Sequence, residues 1–362
     1  MVTINAMNIG VKLDGLGRYS FEIAKRLIKN DLVSKVVINR KAVTYFLDEL
    51  RIYKNKICVV PSFVSPDYGF KGHLLRLLYT NALREDILFN TSQIELNFWK
   101  KKQIITIHDL TPLLFSQGRS KQFYYFKYIL PKFLRRIDKI ITDSNHVKDL
   151  LMEFYRLERE KIKVIYCGIS DIFFAKDISN NQGDYLLYVG RITSTKNIVG
   201  ILEAFNFIHK NYRLPLRLKI TSAGADIIAI LRHIGCNEKI LDFIEFIPHP
   251  SDAELLNLYK DALAFIFPSL SEGFGIPPLE AMACGCPAVV SDVRSIREIC
   301  ADAAYYVDPY NAESIAEGIY RVATDSELRQ RLVTKGLQRT RLFSWERAAK
   351  EHIKVFEEVS YQ

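Results

Sequence analysis

No run of apolar residues in this 362-residue chain approaches the ~18 that a membrane-spanning helix needs. The opening residues, MVTINAMNIG, carry no basic-then-apolar leader, so the reading is of a protein that is not secreted. Low-complexity tracts and internal repeats are missing, which excludes a solenoid or propeller, and no nucleic-acid-binding motif is present. Cysteine is sparse and scattered, at positions 58, 167, 236, 284, 286 and 300. Only Cys284 and Cys286 are close, and a lone C-x-C without a second pair is a poor zinc site. The expectation is six reduced, mostly buried thiols in a cytoplasmic protein.

What is present is the composition of a soluble globular protein, 49% hydrophobic and 25% charged, in a chain long enough for two cores. Charge is unevenly spread. Residues 1–176 hold 30 Lys and Arg against 17 Asp and Glu, and the remainder holds 20 against 24. A basic half joined to a slightly acidic half implies different partners for the two. An anionic membrane surface, a phosphorylated acceptor or nucleic acid would each suit the first half, as would a merely lysine-rich solvated surface.

Short β-rich runs alternate with amphipathic helical stretches throughout, a pattern that favours parallel sheets covered on both faces. VTINAM, SKVVIN, KICVV, DILFN, QIITI, KIITD and KVIYC read as strands in the first half. YLLYVG, LRLKIT, ILDFIEF, LAFIF and PAVVS follow in the second. The alternation breaks near 168–184 in GISDIFFAKDISNNQGD, rich in Gly, Asn, Asp and Ser. The fold class is therefore α/β, with two doubly wound domains: residues 1–170, a linker over 171–183, and residues 184–342. Three helical stretches without strands end the chain.

Chemistry concentrates in two stretches. In SEGFGIPPLEAMACGCP (271–287), an apolar strand leads through a glycine loop into a helix. Pro277 and Pro278 suit a helix's first turn, and Gly273 and Gly275 let backbone N–H groups approach an anion that the helix dipole favours. Glu280 lies about one turn inside, placed to accept hydrogen bonds from vicinal hydroxyls such as a ribose diol. Glu272 precedes the glycines and would face the ligand's other end. Acidic residues that merely complement the dipole would explain one glutamate but not the paired glycines. In YVGRITSTKN (188–197), Arg191 and Lys196 flank a loop at a strand's carboxyl end, where open α/β sheets bind ligands and where two cations would neutralise a diphosphate.

With these two stretches, DGLGRYS (14–20), TIHDLTP (106–112), AAYYVDPYNAESIAEGI (303–319) and FSWERAA (343–349) extend a likeness along nearly the whole chain. It resembles the retaining nucleotide-sugar glycosyltransferases of the two-domain GT-B type, in particular glycosyltransferase family 4, whose E-x7-E motif matches Glu272 and Glu280. The resemblance implies two Rossmann-like domains facing a central cleft, the first binding acceptor and the second binding donor. It also implies a C-terminal helix, residues 343–362, that crosses back onto the first domain. Arg191 and Lys196 match the pair on the donor diphosphate, Glu280 the residue on the donor ribose, and Glu272 the one facing the donor sugar. The N–H groups of Phe274, Gly275 and Ile276, with Gly273 in the same loop, would face sugar and phosphate. The loop carrying Gly15 and Gly17 matches a glycine loop that approaches the diphosphate, and His108 matches a histidine near the transferred sugar. The catalytic set so implied is Glu272, His108, Arg191 and Lys196.

Two of these matches have other readings. DGLGRYS could begin a dinucleotide fingerprint, but its third glycine position is Ser20 and no acidic strand end follows at the right distance. His108 could be a core histidine at a strand end, and Asp109 could orient it or cap the next turn. No D-x-D is present, so no cofactor and no metal are expected, with the cations in magnesium's place. The likeness is greatest to bacterial mannosyltransferases of O-antigen or exopolysaccharide synthesis, which implies GDP-mannose. Other GDP- or UDP-hexoses stay open, because base selectivity would lie around FIPHPSD (246–252), where the chemistry is mostly backbone. The implied acceptor is a saccharide or lipid-linked saccharide. A nucleotide-sugar 2-epimerase of the same architecture, or an inactive sugar-nucleotide-binding protein, are the competing readings. KQFYYFKYILPKFLRR (121–136) mixes aromatic, aliphatic and basic residues as an interfacial helix does, which suggests peripheral binding to the inner face of the plasma membrane. It could equally pack its aromatics into the core.

Overall fold

The computed structural model describes residues 1–83, 86–99, 102–115, 120–174, 183–222, 227–236 and 238–361. The chain divides into two compact units, one formed by Met1–Gly168 with Ser344–Gln362 and the other by Ile169–Phe343. Each is built on its own parallel sheet with helices between most successive strands. Much of the presumed linker, residues 175–182, lies outside the described residues, and Ile169–Phe174 belong to the second unit, where Phe173 is buried.

The first sheet contains β1 (Val2–Asn5), β2 (Val33–Asn39), β3 (Ile57–Val60), β4 (Ile87–Asn90), β5 (Lys102–Ile107), β6 (Lys139–Thr142) and β7 (Ile162–Val164), in the order β3-β2-β1-β4-β5-β6-β7. The second contains β8 (Tyr185–Tyr188), β9 (Arg217–Ile220), β10 (Ile244–Phe246), β11 (Ala264–Phe267), β12 (Ala288–Ser291) and β13 (Tyr305–Val307), ordered β10-β9-β8-β11-β12-β13. Central strands such as β8 and β11 are buried at every position, because helices cover both faces. The order reverses between β1 and β4 in one sheet and between β8 and β11 in the other. Those are the points where connections leave in opposite directions and a crevice opens at the strands' carboxyl ends.

Two strand readings are corrected. ILDFIEF is a strand only over Ile244–Phe246, while Glu238–Phe243 form a 3-10 turn. AAYYVDP supplies the unanticipated edge strand β13, whose Tyr305 and Tyr306 are half-buried.

In the second unit, Leu202 and Phe205 of one helix and Ile208 of the π-turn that continues it pack with Leu218, Ile220, Ile266, Ile315 and Ile319. The last helix, Trp345–Tyr361, belongs to the first unit. Its buried face carries Trp345, His352, Phe356 and Val359, and its amino end pairs Glu346 with Arg26 at 2.8 Å. Trp345 leaves no space beside Gly168: a Cβ there would lie 2.2 Å from the Trp345 nitrogen.

Candidate active site

The loops after β8 and β11 carry the two chemically dense stretches, and the strand order sets them side by side at the second sheet's reversal point. The Leu270 N–H donates to the Thr195 carbonyl at 2.8 Å, joining loop to loop. Asn197 makes the stronger tie. It is buried, sits in the left-handed region at φ 57°, and caps helix Ile198–Phe207 by accepting from the Gly200 N–H. Its Nδ2 donates to the carbonyls of Pro268 at 3.0 Å and Pro309 at 2.6 Å. One amide thus holds together the segments that follow β8, β11 and β13. Sequence reading gave Asn197 no role, since an Asn after a Lys in a loop looks like an ordinary cap.

Within this frame, Lys196 Nζ lies 2.6 Å from Glu272 Oε1, with side-chain exposures of 27% and 11%. The same ammonium stands 5.2 Å from the centre of the Phe267 ring. Arg191 is exposed and makes no ion pair among the described residues. Its backbone is fixed from below: the Tyr188 hydroxyl donates to the Arg191 carbonyl at 3.0 Å, an approach that Gly190, at φ 152°, permits. Burial, with the Glu272 charge adding to it, pushes the Tyr188 phenol upward and keeps it a neutral donor.

Helix Ile276–Ala283 begins at Gly275, whose φ is 107°. A side chain there would be strained by its backbone and would meet Ile296, with Cβ 2.6 Å from Cδ1. The first N–H groups of a helix have no partner inside it, and here Pro277 and Pro278 have none to offer. Donor capacity at this terminus therefore falls on the N–H groups of Gly275 and Ile276. Glu280, on the same helix, is only 5% exposed. The Tyr259 hydroxyl donates to its Oε2 at 3.2 Å, and burial followed by the Glu280 charge raises the Tyr259 phenol well above its ordinary value. Tyr259, from helix Asp252–Asp261, is a second support that the sequence did not single out.

The first unit holds the remaining candidates in two arrangements. Helix Gly15–Leu27 starts at the glycines themselves, so DGLGRYS is a helix amino end where the resemblance implies a glycine loop. Asp14 caps it by accepting from the Gly17 N–H at 2.9 Å, which occupies that donor; Gly15 is exposed with open space around it.

His108 is placed by register. Ile107 pairs with Thr142 across β5 and β6, so the next residues, His108 and Asp143, emerge as neighbours. His108 Nδ1 is 2.5 Å from Asp143 Oδ2, and Nε2 is 2.9 Å from the Thr91 carbonyl oxygen. Both partners are acceptors, so both ring nitrogens carry protons. Burial alone would lower this pKa, but Asp143 reverses the effect and raises it. The ring is 7% exposed, with no nitrogen left for another partner. Asp109 is not its orienter: Asp109 Oδ1 accepts from the Thr111 N–H at 3.0 Å and caps the following turn, while Asp143 does the orienting.

Beside His108 lies Tyr19, with ring centres 4.5 Å apart. The Tyr19 hydroxyl is within 2.9 Å of Thr106 Oγ1 and 2.8 Å of His352 Nε2. His352 Nδ1 donates to the Ala348 carbonyl at 2.7 Å, which leaves Nε2 as the acceptor of the Tyr19 proton. Burial pushes His352 down to about 4, so it is neutral beside the charged His108.

A profile described as "Glycosyl transferases group 1" matches residues 170–339, and one described as "Glycosyltransferase Family 4" matches residues 13–171. The chain belongs to glycosyltransferase family 4. It is 29% identical over 88% of its length to 90% of an O-antigen chain mannosyltransferase of Salmonella typhimurium. A second relative, O-antigen chain mannosyltransferase B of Escherichia coli, is 26% identical, with 95% of this chain and 96% of that one covered. Among solved structures, Anabaena HepE in complex with UDP and glucose superposes with a TM-score of 0.74 at 14% identity, covering 98% of this chain and 99% of that one. A glycosyltransferase from Rickettsia africae gives 0.68 at 18% identity, over 99% and 98%. These likenesses give the fold, which is GT-B with two Rossmann-like units.

Proposed function

We propose that this glycosyltransferase transfers mannose, with retention and without a metal, from GDP-mannose to a saccharide or lipid-linked saccharide during cell-surface polysaccharide synthesis. The observation that carries the reading is the ion pair of Lys196 with Glu272, formed at the sheet reversal point whose loops also carry Arg191 and the buried Glu280. Cleaving a sugar–diphosphate bond builds negative charge on the leaving group and positive charge on the sugar. Arg191, Lys196 and the N–H groups of Gly275 and Ile276 supply fixed positive ends for the first. Glu272, held by Lys196, supplies a carboxylate for the second. Glu280, locked by Tyr259, is suited to a ribose diol that does not change during reaction.

Mannose is supported by the two O-antigen mannosyltransferases among the relatives. Retention would follow from attack on the face the diphosphate leaves, with a phosphate oxygen taking the acceptor's proton. The fully engaged His108 agrees with that route, because its ring has no basic nitrogen to offer. Among the described residues no helix is long and apolar enough to cross a membrane. The basic, aromatic first unit fits peripheral attachment to an anionic leaflet, where a lipid-linked acceptor would lie.

A panel of radiolabelled GDP- and UDP-hexoses, with and without chelator, tests this reading. Expected is turnover of GDP-mannose unaffected by chelation, with an α-configured product by NMR. Epimerised donor would point to a 2-epimerase, turnover of another donor would overturn mannose, and loss of activity on chelation would overturn metal independence.

A further inference from the structure

The first unit also carries a cluster of cations and aromatics with no role in the chemistry above. Residues 120–136, SKQFYYFKYILPKFLRR, contain five cations and no acidic residue. They form a helix with a fault: Lys121–Tyr124 and Leu130–Leu134 are α-helical, while Tyr125–Ile129 form a π-turn closed by the Leu130 N–H on the Tyr125 carbonyl. Pro131 accounts for the fault, because a proline in a regular helix would clash with the carbonyl four residues earlier. The widened turn has consequences on both faces. Inward, Phe126, Leu130 and Leu134 are buried, and the Tyr155 hydroxyl donates to the Phe126 carbonyl. Outward, Lys127, Tyr128 and Ile129 stand in succession on the surface, with Tyr128 52% and Ile129 45% exposed.

Between this turn and the end of helix Asn145–Tyr155 lies a cavity of about 600 Å³. Lys127, Arg135 and Arg156 line it together with Phe123, Tyr128 and Phe154, and no acidic residue is among its described lining. Arg156 is held at φ 53°, a left-handed conformation uncommon for a non-glycine residue. Lys127 lies 5.1 Å and 5.5 Å from the ring centres of Phe123 and Tyr128, and among the described residues none of the three cations is in an ion pair. Three positive charges around one cavity repel one another, and an anion relieves that repulsion. Half-exposed aromatics beside them offer nothing to a small free anion, but they suit a phosphate attached to acyl chains at an interface.

We propose that this groove binds the phosphate headgroup of an anionic membrane lipid, with Lys127, Arg135 and Arg156 on the phosphate and Tyr128 and Phe154 at the acyl boundary. The inference rests on the peripheral-membrane reading above and gives it a site. It narrows the contact from the whole of 121–136 to Lys127, Tyr128 and Arg135 and adds Phe154 and Arg156 at the end of a neighbouring helix.

Vesicle flotation of the full chain tests it, using phosphatidylcholine vesicles with and without phosphatidylglycerol. The wild type should float with the phosphatidylglycerol vesicles and release them at high salt. Lys127→Glu with Arg156→Glu should lower the partition coefficient more than about tenfold. Lys29→Glu with Lys54→Glu, an equal charge change elsewhere on the same unit, should lower it far less, and Lys127→Arg with Arg156→Lys should keep it. Circular dichroism and melting confirm that each variant is folded. If the groove and control variants fall equally, or the groove variant floats like wild type, the groove is wrong and the membrane reading survives. If the wild type ignores anionic vesicles, both fail. Saturable calorimetric binding of inorganic phosphate without vesicle binding would assign the groove to a free anion and overturn the lipid.

Discussion

Lys196 and Glu272 should be energetically one unit, and a double-mutant cycle of Lys196→Met and Glu272→Gln measures it. At their separation of 2.6 Å the Coulomb attraction is about 6 kcal/mol at an effective dielectric of 20 and about 1.6 kcal/mol at that of water. Desolvation offsets much of this, since both side chains are largely buried. A net coupling of about 1–3 kcal/mol is expected. Lys196→Met alone strands a carboxylate and should cost about 1–3 kcal/mol, a fall of roughly 3–10 °C in melting temperature for a unit of this size. The double variant should recover most of that stability, because it leaves no unpaired charge. Catalysis should not recover. The charge that Lys196 offers a developing diphosphate is gone in both variants, so kcat should fall by about 10²–10³ in each. Melting curves with and without nucleoside diphosphate, together with donor-hydrolysis rates, give both readouts. Coupling within about 0.5 kcal/mol of zero would mean that the pair does not form. An unchanged kcat in Lys196→Met would remove its electrostatic role and leave simple donor binding.

Further tests address single atoms. Glu280→Gln should chiefly raise the donor KM and leave kcat near wild type, since a ribose contact binds ground and transition states alike; steady-state kinetics would show a kcat loss if that is wrong. Asn197→Ala strips partners from two carbonyls and a helix terminus and should cost about 2–4 kcal/mol in denaturant unfolding, and a cost below about 0.5 kcal/mol would rule out its tying role. Gly275→Ala should cost about 1–3 kcal/mol, partly relieved by trimming Ile296 to Val, because strain comes both from φ and from the Ile296 contact. His352, with its folded pKa pushed down to about 4, binds a proton more readily when unfolded. Its contribution is therefore full above the ordinary histidine pKa of ~6.5 and is lost as pH falls toward 4, about 3 kcal/mol in all. His108 is shifted the opposite way, so its ion pair with Asp143 stabilises below ~6.5 and weakens as pH rises through its raised value. Unfolding of His352→Leu should be flatter with pH between 4 and 6.5 than wild type, and identical slopes would sink the assignment.

The sequence by itself determined the alternation of strands and helices, because short continuous apolar runs and amphipathic stretches are local signals. It also determined the chemistry of the two dense stretches. Glu272, Gly275, Glu280 and Lys196 are marked by residue type and spacing, as Gly275 must be where a positive φ faces Ile296. Strand order was not local. Only the tertiary structure decided that the segments after β8 and β11 meet at a reversal point, that Lys196 reaches Glu272 across 76 positions, and that Asn197 binds carbonyls 71 and 112 positions away. His108 shows the difference most clearly. Its neighbour in sequence, Asp109, was the natural partner to consider, yet parallel register put Asp143 beside it and made it a closed, doubly protonated ring. Local sequence encodes which groups are available, whereas pairing between distant strands sets which of them touch and hence which carry charge.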